Sequence, residues 1–78
     1  MKEEIRSKIA VFLNQSSNVV KDESILTDLV PESFLLIELV IELQEEFGIR
    51  LMQEDLKDVK TAGDLILTVE RKIAPGGN

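Results

Sequence analysis

Apolar residues recur at helical spacing through most of this chain and nowhere alternate with period two, so helices are the expected regular element of its core. Leu36, Val40, Leu43 and Phe47 fall at i, i+4, i+7 and i+11, a buried stripe that Ile37 widens, and they predict a helix over about 33–47. Gly48 follows the last periodic residue, where a left-handed terminator belongs. Ile5, Ile9, Phe12 and Leu13 share one face of an earlier helix, which the turn-forming residues 14–18 bring to an end. Near the C-terminus, Thr61 and Asp64 have the spacing of a capping box. Ala62, Leu65, Ile66, Val69 and Ile73 continue behind them at helical spacing, with Arg71 and Lys72 complementing the dipole of the last turn.

The segments between these helices are less regular. Residues 19–32 have no sustained period and include Pro31, which predicts a long ordered loop pinned to the core by Ile25, Leu26 and Leu29. Residues 53–58 predict a short helix with Leu56 turned inward and Val59 closing it. The expected fold is all-α, a small four-helix bundle of three main helices plus one short helix. One domain is expected over 1–73, followed by a disordered tail over 74–78, where Pro75 and the paired Gly76 and Gly77 end order.

Composition then narrows the chemistry. Seventy-eight residues leave room for one packed core and hardly for a deep enclosed active site. The chain has no Cys and no His, which removes thiolate metal sites, disulfides and the usual general base at neutral pH. An enzyme is not expected. A net charge of −6 argues against nucleic acid, whose phosphates demand a Lys/Arg footprint, and favours a basic protein partner. No apolar run, residues 34–37 included, comes near the length needed to span a bilayer, so no membrane insertion is expected. Residues 1–4 open the chain without an apolar signal region, which points to the cytoplasm.

Ser33 stands at the head of the longest helix. As an isolated residue it reads as an N-cap, accepting a bond from a backbone N–H. No His, Lys or Cys lies beside it in sequence, so it is no self-activated nucleophile. A modification site is the other reading, because a phosphate there would meet unpaired N–H groups and the positive end of the dipole. On the outer face of the same helix, Phe34, Glu38, Ile41 and Glu45 form a second row, with Glu42 and Glu46 alongside. Residues 32–47 hold five carboxylates and no basic residue. A solvated face is one reading of this row; a docking surface that steers basic partners is the other. Glu54, Asp55 and Asp58, or Glu42, Glu45 and Glu46, could bind a divalent cation only loosely, and no dedicated metal site is expected.

Placed in this register, the chain resembles the acyl carrier protein family. The match runs from Thr27 to about Val69 through Asp28–Leu29, Glu32–Ser33–Phe34, Ile37–Glu38–Leu39–Val40, Leu43–Gln44–Glu45–Glu46–Phe47 and Thr61–Ala62–Gly63–Asp64. The resemblance implies that Ser33 takes 4′-phosphopantetheine from coenzyme A, delivered with Mg²⁺ by a phosphopantetheinyl transferase. The terminal thiol then holds an acyl group as a thioester, and the sulfur that the sequence lacks arrives with the arm. It also implies docking of acyl-transferring and chain-modifying enzymes, through their basic patches, on Glu32, Phe34, Leu35, Glu38, Ile41, Glu42 and Glu45. An acyl pocket is implied near Val40, Leu43, Leu51, Leu56, Val59 and Leu65, in a protein expected to be monomeric. Several residues depart from the common pattern. Glu32 replaces Asp, Val30–Pro31 replaces Gly-Ala, Met52 replaces Pro, and Leu56 replaces Ala, which should make the pocket shallower. Leu35 and Leu36 replace polar residues, leaving Leu35 exposed beside the arm. Phe34 resembles the D-alanyl carriers. Together the departures suggest a specialised carrier serving fatty-acid, lipid or polyketide-type synthesis. A D-alanyl or aminoacyl carrier is an alternative, as is an unmodified helical interaction module.

Overall fold

The computed structural model describes residues 1–73; the expected tail over 74–78 lies outside them. Five α-helices follow one another: α1 (Lys2–Phe12), α2 (Leu26–Leu29), α3 (Ser33–Phe47), α4 (Gln53–Leu56) and α5 (Ala62–Ile73), with a 3₁₀ turn at Ser17–Val19. Among the described residues there is no strand, only one isolated antiparallel bridge between Ile25 and Thr61. The all-α expectation holds, with one single-turn helix, α2, more than the sequence predicts.

α3 ends where its sequence says it must. Gly48 takes φ 62° and its N–H bonds to the Gln44 carbonyl, a conformation that costs glycine nothing and other residues a Cβ clash. α1 ends differently. Asn14 adopts φ 58°, and its N–H and that of Gln15 bond to the carbonyls of Val11 and Ala10. Asparagine is among the few side chains that tolerate the left-handed region. The Thr61–Asp64 box forms as expected: Asp64 N–H donates to Thr61 Oγ1 at 3.0 Å, and Thr61 N–H donates to Asp64 Oδ2 at 3.1 Å.

The core is wholly apolar. α1 contributes Ile5, Ile9 and Ala10, α3 contributes Leu39 and Leu43, and α5 contributes Ala62, Leu65, Ile66 and Val69. α1 packs on both α3 and α5 and so backs the whole molecule. The stripe expected on α3 is rotated. Leu39 and Leu43 are fully buried, Leu36, Val40 and Phe47 are half-buried, and Ile37 is 59% exposed. Apolar residues cover so wide an arc of α3 that periodicity alone does not say which of them faces α1.

The 19–32 segment is held by more than the three residues expected. Leu26 is buried and Leu29 half-buried, but Ile25 is 42% exposed, because its backbone rather than its side chain makes the attachment. Leu26 N–H bonds to the Lys60 carbonyl at 2.9 Å, and the N–H groups of Ala62 and Gly63 bond to the carbonyls of Ser24 and Asp22 at 2.8 and 2.9 Å. A Cβ on Gly63 would lie 2.8 Å from the Asp22 carbonyl oxygen, so only glycine permits this approach. Val20 and Val30 are the other buried anchors. At the far side, Arg6 of α1 donates to the Val20 carbonyl at 2.6 Å and pairs with Asp22.

Candidate functional site

The first turn of α3 faces solvent. Glu32 occupies the N-cap position, makes no side-chain cap bond, and its carbonyl accepts from Leu36 N–H at 3.1 Å. Ser33 is therefore the first helical residue rather than the cap, one place further along than the capping reading puts it, and it is exposed. The leading N–H groups of a helix have no intrahelical partner. With no carboxylate in this first turn, they and the dipole leave the Ser33 hydroxyl in a positive field suited to an attached phosphate.

The residues expected on the outer face separate into groups. Phe34 is 66% exposed and Ile41 46% exposed, with Glu38 and Glu45 also in solvent. Glu32 flanks Ser33 and is exposed. Leu35 is not exposed beside Ser33 as expected; it is half-buried and packs against the core, because its position on α3 turns it toward the bundle. The carboxylates are also not an unrelieved negative row. Lys8 of α1 lies 3.8 Å from Glu42 and 3.2 Å from Glu46. One cation, 34 residues from Glu42 in sequence, is thus shared by two of the four carboxylates on α3 and offsets one charge between them, while Glu38 and Glu45 have no salt bridge among the described residues.

On the inner side of α3 lies a cavity of about 370 Å³, within the range of small-ligand pockets. α3 supplies Leu36, Ile37, Val40, Ile41 and Gln44, and Leu51, Leu56, Val59 and Leu65 stand opposite, with Leu26 completing the wall. Five of the six residues expected around a pocket are brought together here. Leu43 is not among them, being sealed in the core on the next stripe of the helix. Leu26, Leu36, Ile37, Ile41 and Gln44 are lining residues that the sequence reading missed. A signal for the α3 set was available: they stand at +3, +4, +7, +8 and +11 from Ser33, one helical face. The cavity wall therefore begins one turn, about 5 Å, from Ser33 and continues along the same stripe to about 16 Å from it.

Lower down, the acidic pairs have local partners. Asp55 accepts from Met52 N–H at 2.8 Å and pairs with Lys72 at 3.0 Å; the first bond, then the second, holds its carboxyl below the usual carboxylate range. Asp64 is also held low, by the N–H groups of Lys60 and Thr61. Among the described residues no three His, Cys, Asp or Glu side chains are arranged to hold a metal ion. None of the described helices is long and apolar enough to cross a membrane.

The sequence is similar to those of known proteins. Residues 3–69 match the phosphopantetheine attachment site family. The chain is 30% identical to an acyl carrier protein of Thermotoga maritima, over 92% of this chain and 95% of that one. It is 33% identical to an acyl carrier protein of Acidothermus cellulolyticus, over 83% of each. A third, from Rhodococcus erythropolis, is 27% identical over 80% of this chain and 68% of its own. The chain belongs to the acyl carrier protein family, built around a phosphopantetheine attachment domain. It is a carrier and not an enzyme: the chemistry of its class resides in the covalent 4′-phosphopantetheine and in the enzymes that act on it.

Proposed function

We propose that Ser33 is the attachment residue and that the chain shelters acyl groups as thioesters beneath α3, presenting them to enzymes of fatty-acid, lipid or polyketide-type synthesis. The observation that carries this reading is an exposed hydroxyl on the first residue of α3, in line with an apolar cavity along the same helical face. A transferase forms a P–O bond to Ser33 Oγ as the pyrophosphate P–O bond of coenzyme A breaks. Adenosine 3′,5′-bisphosphate leaves, and the serine proton passes to the transferase or solvent, since this chain has no histidine to accept it. Once attached, the arm supplies a thiol for thioester formation. Leu36 and Ile37 then receive the cargo at the cavity rim, and the free N–H groups of the first turn face the phosphate.

Partner enzymes with basic patches read Glu32, Phe34, Glu38, Ile41 and Glu45, a small charge-steered surface suited to brief contacts by a cytoplasmic monomer. The cavity is lined by apolar groups apart from Gln44, which favours an acyl load over an aminoacyl one. Intact-mass measurement tests the attachment. Incubation with coenzyme A and a permissive transferase is expected to add one arm per chain, and Ser33→Ala to abolish the gain. An arm that still appears on Ser33→Ala contradicts the assignment.

A further inference from the structure

Nine of the ten residues around the cavity are apolar; the exception is Gln44. Its side chain is half-buried and its Oε1 accepts from Leu51 N–H at 2.7 Å. A backbone N–H can only donate, so the atom facing it must be the amide oxygen. The amide is thereby fixed in one orientation, and its NH₂ group, with two donors, has no hydrogen-bond partner among the described residues. The bond to Leu51 is the only side-chain hydrogen bond of Gln44 among the described residues. A saturated chain filling the cavity would strip water from this donor and return nothing. A chain with an oxygen acceptor at the right depth would satisfy it. Sites that hold an oriented polar group discriminate strongly against ligands that leave it unpaired.

We propose that Gln44 is a cargo-selecting residue, and that the cavity favours acyl chains bearing a keto oxygen along the sheltered stretch over saturated chains of equal length. The proposal rests on the reading of Ser33 as the attachment site. Gln44 stands 11 positions beyond Ser33, three turns along the stripe, and the keto position that answers to it reports how deep the cargo is seated. Leu51, whose backbone orients the amide, is itself a buried cavity wall residue. The same contact therefore shapes the wall and aims the donor.

The test uses the full chain loaded through the transferase with amide-linked acyl pantetheine analogues. These carry a saturated chain or the same chain with a keto group at the third, fifth or seventh carbon. Intact mass first establishes loading. The side-chain NH₂ resonances of Gln44, identified by their loss in Gln44→Glu, are expected to move for one keto position and to stay with the saturated chain and the bare arm. Loading with that keto chain should raise the urea midpoint beyond the saturated chain, corresponding to a preference of roughly five- to fifty-fold. Gln44→Glu retains an acceptor for Leu51 N–H but offers no donor, so the excess should vanish while the fold persists. Resonances that move equally for the saturated chain or the bare arm overturn the proposal, as does an excess that survives in Gln44→Glu. A chain that takes no arm at Ser33 overturns the attachment reading and this inference with it, and the mass spectrum distinguishes the two failures.

Discussion

Two residues show how far a single position can matter here. Gly63 is in the sequence motif shared with the family, and the structure supplies the reason: the Asp22 carbonyl approaches to within 2.8 Å of where a Cβ would stand. Gly63→Ala is expected to destabilise the fold by about 1–3 kcal/mol through backbone overpacking, read as a lower urea midpoint. A variant as stable as the parent would contradict the close approach. Leu43 gives the opposite lesson. Its spacing is equally consistent with a pocket wall and with the core, and only packing separates the two. Because Leu43 is completely buried in the core, Leu43→Ala is expected to cost about 2–5 kcal/mol, far more than Val40→Ala at the half-buried cavity wall. Equal losses would place both residues in one environment.

At the scale of the elements, α3 and α5 were legible because each announces its ends locally: Gly48 stops one, and the Thr61–Asp64 pair starts the other. The α2 turn was not. Its first residue, Leu26, is held by one backbone bond to Lys60, and the segment before it by Arg6 of α1 at Val20, partners that lie far away in the chain. The α5 start also has a pH signature. Asp64 is depressed in the folded chain, so its contribution is complete above the unfolded carboxylate value of about 3.9 and fades as pH falls through the lower folded value. Asp64→Asn is expected to be less stable than the parent at pH 7, and the difference in urea midpoint to shrink below about pH 4. A difference that is constant with pH would sever this linkage. On α3, Lys8 is shared by Glu42 and Glu46 and halves their joint charge, so Glu38 and Glu45 supply the larger part of the steering field. Replacing both with Lys is expected to slow association with a basic transferase about tenfold at low salt, with the gap closing as salt rises. An unchanged on-rate in stopped-flow measurements would remove the steering role.

For the molecule as a whole, length and the absence of Cys and His pointed to one packed core and away from an enzyme, apolar periodicity made that core helical, and the carrier role came from the resemblance. The cavity was less legible, because it is a property of the gap between elements. Its α3 wall follows from spacing relative to Ser33, but Leu26 and Leu51 enter from the segments before and after α3. The arrangement around α1 has a consequence for how such a gap can change size. Since α1 grips α3 and α5 separately, the far edge of α3 is expected to tilt outward like a hinged shutter on loading while the contacts along its hinge line persist. A growing passenger can then gain volume without melting its carrier. Amide exchange on loading should slow at residues 49–59 and leave α1 unchanged, and a comparable change in α1 would mean that the whole bundle yields instead.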